Sequence, residues 1–133
     1  MITRRRGTAI VENSKGILVA SGRKKVFLLP GGGAKKGESR RRAAIRELRE
    51  ETGLKAHYWK YLFTYHEPRY TLEGKKRKIR NLHKIFLIKA LGYPKPNYHD
   101  VWHISYWKPS SNIKLSRQTE KIIKEYLDRG QIK

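Results

Sequence analysis

Short runs of apolar residues, separated by turn-forming residues, predict a series of β-strands in this chain of 133 residues. The first two runs flank Asn-Ser-Lys, which predicts a hairpin, and the third ends at Pro30, a residue that strands exclude from their interiors. The last run alternates its side chains, as a strand with one buried face does. The predicted strands are residues 7–12, 16–20, 26–29, 57–66, 82–91 and 101–107.

Two other segments repeat apolar residues with helical spacing. In the first, Ser39 is a favourable N-cap and Gly53 suits the left-handed residue that ends a helix. The second begins after Ser116 and ends at Gly130, with a core face formed by Thr119, Ile122, Ile123, Tyr126 and Leu127. Strands interspersed with two helices predict an α/β fold, in which helices pack on a mixed sheet.

Length and composition narrow the class of protein. Residues 1–133 are expected to form a single domain, because the chain is long enough for one core. The absence of cysteine excludes disulfides and thiolate metal sites. No apolar run approaches the roughly 20 residues of a membrane span, and polar residues follow the basic start where a signal peptide would be apolar. We therefore expect a cytoplasmic protein without membrane association; its oligomeric state is open, and a homodimer is one option.

The formal net charge of +21 is extreme. It predicts attraction to polyanions such as nucleic acid, or to small anionic substrates. The basic residues are spread widely along the chain, so a general bias in composition explains the charge equally well. Nucleic acid is therefore kept as a candidate partner beside a small anionic substrate.

The segment 32–54 crowds acidic residues into an otherwise basic chain. Glu47, Glu50 and Glu51 occupy positions i, i+3 and i+4, which share one face of a helix. Like charges placed in this way cost roughly 0.2–0.5 kcal/mol per pair. A hard cation such as Mg²⁺ or Mn²⁺ takes oxygen ligands and cancels the repulsion, so the spacing favours a metal-binding surface. The alternative is a solvated helix surface of alternating charge.

The same segment resembles the Nudix box, the signature of the Nudix hydrolases. It matches glycine-x5-Glu-x7-Arg-Glu-apolar-x-Glu-Glu-x-Gly-apolar at every defined position, from Gly32 through Glu38 and Arg46 to Leu54. The resemblance implies an α/β/α sandwich with a mixed β-sheet. It also implies an enzyme that hydrolyses diphosphate linkages with Mg²⁺, or with Mn²⁺ in its place.

The resemblance also implies roles for individual residues of the box. Glu47 and Glu50 belong to the catalytic acids, Arg46 orients an acid of the cluster, and Glu38 supports the loop or an outer metal. The implied metal ligands are Gly32, through the backbone of its loop, and the side chains of Glu47, Glu50 and Glu51.

The general base is less clearly marked, because Nudix enzymes place it either in the box or in a loop after a later strand. Between Leu91 and Trp107 the only acid is Asp100, which is therefore the candidate for a catalytic acid outside the box. That Asp100 is an ordinary loop residue without a catalytic role is an equally supported alternative. His99 is a second candidate for base or phosphate ligand, although a loop histidine is more often only solvated.

A basic segment, residues 69–84, follows the first long strand. We expect it to form the tip of a strand–turn–strand unit near the mouth of the cleft and to contact the substrate. The alternative is a solvated hairpin tip, the more frequent meaning of a charge run. The candidate substrate-binding residues are Arg69, Lys75, Arg77 and Lys78.

The box indicates the reaction class but not the substrate. A (deoxy)nucleoside triphosphate, including oxidised forms, is the first expectation because the chain is small and lacks an added recognition domain. ADP-ribose or a dinucleoside polyphosphate comes next, and an RNA 5′-triphosphate third, with support from the charge. A non-catalytic nucleic-acid-binding module of the same fold is the alternative from another class.

Overall fold

A computed structural model of the chain describes residues 2–67, 70–71 and 78–130. Within these ranges the strands are β1 (Ile2–Ile10), β2 (Glu12–Asn13), β3 (Gly16–Ser21), β4 (Gly31–Gly33), β5 (Lys55–His66), β6 (Tyr70–Thr71), β7 (Lys78–Leu91) and β8 (His103–Trp107). The helices are α1 (Arg40–Thr52) and α2 (Arg117–Gly130). None of the helices in the described ranges is long and apolar enough to cross a bilayer.

The strands form two sheets. One has the order β4-β1-β7-β5, with β6 also paired to β7, and the other has the order β2-β3-β8. β1 and β7 run parallel, whereas the other pairs in both sheets run antiparallel. The prediction of a mixed sheet is therefore confirmed.

The helices cover opposite faces of the sheets. Alternation along β1 directs Ala9 to one face and Ile10 to the other, and both side chains are fully buried. Ala9 joins a core with Leu48 of α1, while Ile10 joins a second core with Ile122 and Ile123 of α2. The result is the predicted α/β/α sandwich.

The box helix has the predicted ends. Ser39 accepts a hydrogen bond from the Arg42 N–H at 3.1 Å, as an N-cap does. Gly53 adopts the left-handed conformation at φ 77° and donates its N–H to the Arg49 carbonyl at 2.8 Å. These caps fix where α1 begins and ends, and thus where its carboxylates lie.

Several strand predictions were wrong. Residues 26–29 form only two isolated bridges, Ala20 with Leu28 and Phe27 with Leu115. Pro30 follows this run at once, and Leu28 is 49% exposed, so the run lies at an edge where the ladder stops. By contrast, the glycine triplet expected as a loop pairs with β1 as β4.

The ends of other elements also differ from the predictions. β1 starts at Ile2, β8 starts at His103, and α2 includes Gly130. The run 7–12 is divided between two sheets, because β1 ends at Ile10 and only β2 pairs with β3 as a hairpin.

Candidate active site

Arg46 gathers three of the four box carboxylates. Its guanidinium donates two hydrogen bonds to Glu38 at 2.9 and 3.0 Å, one to Glu47 at 3.0 Å, and two longer ones to Glu50 at 3.2 and 3.3 Å. It also donates to the Gly33 carbonyl at 3.1 Å. A two-pronged arginine–carboxylate contact fixes direction as well as distance, so Arg46 ties α1 to the loop that precedes it.

The pKa values follow from this arrangement. The hydrogen bond from Arg46, supported by the Lys35 N–H, lowers the pKa of Glu38 from 4.5 to about 2. The same carboxylates raise the pKa of the Arg46 guanidinium above its ordinary value. In this part of the site one guanidinium therefore offsets part of the charge of three carboxylates.

Glu51, the fourth carboxylate, follows Glu47 by one turn of the helix and is not among the contacts of Arg46. Its Oε1 accepts a hydrogen bond from the Gly31 N–H at 3.0 Å, and among the described residues it forms no ion pair. Burial raises the pKa of this carboxyl to about 8, and the charges of Glu47 and Asp100 add to the increase. Glu51 is thus a largely buried acid without a full counter-charge.

Gly7 of β1 and Gly32 of β4 allow α1 to approach so closely. A Cβ atom on Gly7 would lie 1.9 Å from the Arg40 carbonyl oxygen, and one on Gly32 would lie 2.6 Å from Cδ of Glu47. Gly31 instead lies against β1, and its φ of 157° is one that L side chains rarely adopt. Glycine at positions 7 and 32 therefore leaves the space in which Glu47 lies against β4.

The donor set suits the divalent cation that the motif implies. Carboxylate oxygens are the ligands that Mg²⁺ and Mn²⁺ prefer, and Glu51 has no ion-pair partner among the described residues that would oppose a cation. Within the described residues, no three acidic or histidine side chains already converge as a metal site. Arg46 accounts for this, because it draws Glu47 and Glu50 to itself. The ligand roles of Gly32, Glu47, Glu50 and Glu51 stay predictions.

A cleft of about 480 Å³ opens beside Glu51, on the α2 side of the sheets. Asp100 forms part of the same wall, and its charge contributes to the raised pKa of Glu51. The structure therefore brings together Asp100 and the box acids, which are far apart in sequence. The role of Asp100 as general base remains a prediction. His99 is exposed and does not line this cleft.

Asn97 holds the Asp100 loop in place. Its side-chain oxygen accepts the N–H groups of His99, Asp100 and Val101 at 2.9–3.2 Å. Its amide nitrogen donates to the Glu50 carbonyl at 3.0 Å and also to the Asp100 carboxylate. Sequence analysis missed this residue, although an asparagine that follows proline is a typical start for a turn closed by its own side chain.

A polar network, also missed from the sequence, lines another part of the cleft. His83 lies 3.4 Å from both Thr8 Oγ1 and Glu67 Oε1, and Asn81 donates to the other Glu67 oxygen. Burial lowers the pKa of His83, and the charge of Arg6 lowers it further against the opposing effect of Glu67. The imidazole is therefore neutral at neutral pH. Polar residues at core-facing positions of two strands are the signal that could have revealed the network.

The predicted substrate-binding residues fall mostly outside the described ranges. Arg69, Lys75 and Arg77 all lie there, and Lys78 is described only as the backbone residue that opens β7. β6 pairs with the start of β7 in an antiparallel register, so the two described stretches on either side of residues 72–77 lie side by side. Contact with substrate stays a prediction.

Comparison with known proteins gives a family for this arrangement. The model of the NUDIX domain matches residues 2–127. A curated relative, the ADP-ribose pyrophosphatase of Methanocaldococcus jannaschii, is 31% identical over 101 residues, which are 76% of this chain. The chain spans only 57% of that relative's length.

Solved structures agree with the family match. A protein from Chromobacterium violaceum, described as a nudix hydrolase family member, is 35% identical with a TM-score of 0.75, covering 95% of this chain and 77% of that one. The E. coli ORF135 protein has a TM-score of 0.74 at 21% identity, covering 96% of this chain and 91% of that one. At that identity the second likeness concerns the fold alone.

Proposed function

The chain belongs to the NUDIX family, as residues 32–54 suggested, and from this premise we propose that it hydrolyses the diphosphate of ADP-ribose in a reaction that depends on Mg²⁺. One water is added across the diphosphate, so that one bridging P–O bond breaks and AMP and ribose 5-phosphate form. The observation that carries the proposal is the pair of Glu51 and Asp100 on one cleft wall beside the Arg46 cluster.

Cation binding and proton transfer would be carried out by different residues of the site. Glu47, Glu50 and Glu51, with the backbone at Gly32, would hold the divalent cation. When bound, the cation neutralises charge on the diphosphate and activates water. Asp100 would accept a proton from the attacking water, because it faces the cleft beside Glu51. Mn²⁺ is the alternative cation, since the same oxygen ligands suit both.

Two observations favour ADP-ribose over other diphosphates. The relative from Methanocaldococcus jannaschii is an ADP-ribose pyrophosphatase at 31% identity. Among the described residues that line the cleft, Arg6 is the one arginine or lysine, and three acidic residues, Glu51, Glu67 and Asp100, line it too. A cleft with so few cationic side chains suits a diphosphate that ends in an uncharged sugar better than a third phosphate.

Nucleoside triphosphates, the first expectation from the sequence, are the second candidate. The net charge of +21 favours a more anionic substrate, and it extends the same argument to an RNA 5′-triphosphate.

A substrate panel separates these candidates. The protein is incubated with Mg²⁺ and ADP-ribose, dATP, a dinucleoside tetraphosphate or a 5′-triphosphorylated RNA, and the products are identified by mass. We expect AMP and ribose 5-phosphate from ADP-ribose, at a kcat/KM at least about tenfold above the others, and no products in EDTA. Preferential hydrolysis of a triphosphate would reject ADP-ribose as the substrate, but it would still agree with hydrolysis of a diphosphate linkage. Turnover of none would reject the proposed function.

A further inference from the structure

Arg6 is a cation in the cleft that the box does not include. It lies on β1, in register with Gly33 of β4 on one side and with His83 of β7 on the other. The side chain is half-buried and lines the cleft together with Glu51 and Glu67. Arg6 is therefore built into the floor of the cleft, at the junction of the box loop and the polar network.

The guanidinium of Arg6 is not committed to another group. Among the described residues it forms no ion pair and no side-chain hydrogen bond, whereas Arg46 on the nearby helix makes contacts to three carboxylates. A half-buried guanidinium with five N–H donors and no acceptor is costly to leave unpaired. Such a group is suited to an anionic ligand that enters the cleft.

The neighbouring charges restrict what that ligand can be. Arg6 lines the cleft together with Glu51, Glu67 and His83, so its charge lies between the box acid and the polar network. A simple structural role, as the counter-charge of Glu51, fits poorly because the two groups form no ion pair. Once a cation takes up the charge of Glu51, Arg6 is left facing the bound diphosphate.

We propose that Arg6 binds a non-bridging phosphate oxygen of the substrate from the sheet side of the cleft, opposite the box carboxylates. This inference rests on the proposed function, because it takes the substrate to be a diphosphate. The guanidinium presents paired N–H groups that match two phosphate oxygens, which a lysine at the same position would match less well. Arg6 would thus hold the diphosphate while the box acids hold the cation.

A neighbouring residue of β1, Arg5, provides a matched control for substitution of Arg6. Arg5 is exposed and pairs with Leu82, so alternation along β1 directs it to the face opposite Arg6. Substituting Arg5 removes the same charge one residue away without touching the cleft. Comparison of Arg6→Gln with Arg5→Gln therefore separates a specific contact from the general effect of charge.

The experiment measures binding and turnover separately. Binding of inorganic pyrophosphate is measured by calorimetry in EDTA and in Mg²⁺, and KM and kcat are measured for ADP-ribose with Mg²⁺. We expect Arg6→Gln to raise Kd and KM at least about tenfold, which is about 1.4 kcal/mol, with a smaller effect on kcat. The Kd and KM of Arg6→Lys should lie between those of the wild type and Arg6→Gln. Those of Arg5→Gln should stay within about twofold of the wild type.

Three outcomes would overturn the inference. The first is Kd and KM of Arg6→Gln within about twofold of the wild type, which leaves the residue outside the binding site. The second is a fall in kcat alone, which would make Arg6 a structural partner of Glu51. The third is failure of the wild type to bind pyrophosphate. If ADP-ribose is not hydrolysed, the proposed function fails, but pyrophosphate binding still tests Arg6.

Discussion

Two carboxylates one turn apart on the box helix, Glu47 and Glu51, lie in opposite environments. Glu47 shares the guanidinium of Arg46 with Glu38 and Glu50, and the pKa of Glu38 falls to about 2. Glu51 is largely buried and makes its described hydrogen bond to the Gly31 N–H, and its pKa rises to about 8.

This difference separates the acids that the protein pairs with a cationic side chain from the one that it does not. Burial of a carboxylate without a partner opposes folding, so the position of Glu51 lowers stability unless something else compensates. A divalent cation in the cleft would be that compensation. In the Arg46 cluster, one guanidinium partly offsets three carboxylates and holds Glu47 and Glu50 in place.

The largest effect is expected from Glu51→Gln. The amide keeps the shape of the side chain but removes the charge that a cation would bind, so turnover should fall at least about a hundredfold. The thermal transition at pH 7 in EDTA should stay the same or rise, because folding no longer requires this carboxyl, whose pKa is raised to about 8, to take up a proton. Glu120→Gln, on the exposed face of α2, is the control. Retention of most activity by Glu51→Gln would contradict the assignment of Glu51 as a ligand of the cation.

The next largest effect is expected from Gly32→Ala. The added Cβ would lie 2.6 Å from Cδ of Glu47, so this carboxylate must move. We expect kcat to fall about tenfold or more with only a small change in melting temperature. Gly33→Ala is a matched control, since a Cβ there meets nothing within 4 Å. If the two variants lose activity equally, the close approach of Glu47 to Gly32 is not important.

A smaller effect, mainly on stability, is expected from Arg46→Ala. The variant leaves Glu38 and Glu47 without their donor and next to each other's charge, so the free energy of unfolding should fall by more than it does for a single exposed arginine. Urea unfolding measures this, with the exposed Arg42→Ala as control. A loss no greater than that of the control would mean that the cluster adds nothing to stability.

The smallest effect is expected from the pH dependence of Glu38. A carboxyl whose pKa is lowered on folding, here from 4.5 to about 2, stabilises the fold above pH 4.5, and this contribution is lost as the pH falls towards 2. The difference in melting temperature between wild type and Glu38→Gln should therefore be largest above pH 4.5 and close to zero near pH 2. Asp128→Asn is a control at an exposed pair. A difference that does not change with pH would contradict the pairing with Arg46.

The helix and the reaction class could be predicted because their signals are local. Ser39 and Gly53 mark the ends of α1 through contacts with residues three or four positions away. The spacing of Glu47, Glu50 and Glu51 depends only on helical geometry. The ends of α1 and the spacing of its carboxylates can therefore be read from a single sequence.

The rest of the cleft could not be predicted, because it depends on which strands pair. Arg6 and His83 are 77 residues apart and meet only because β1 and β7 run parallel in one register. A shift of one residue in this register would place the two side chains on opposite faces of the sheet. The run 26–29 shows the reverse error, since its apolar composition predicted a ladder that Pro30 and its position at an edge prevent.

The contrast between Glu51 and the Arg46 cluster is tested most directly by binding of Mn²⁺, followed through the electron paramagnetic resonance signal of the free ion. Wild type, Glu51→Gln and Glu38→Gln are titrated without substrate. We predict that Glu51→Gln weakens Mn²⁺ binding at least about tenfold, whereas Glu38→Gln stays within about threefold of the wild type. Equal affinity of Glu51→Gln and wild type would contradict the claim that the buried carboxylate is kept for a cation.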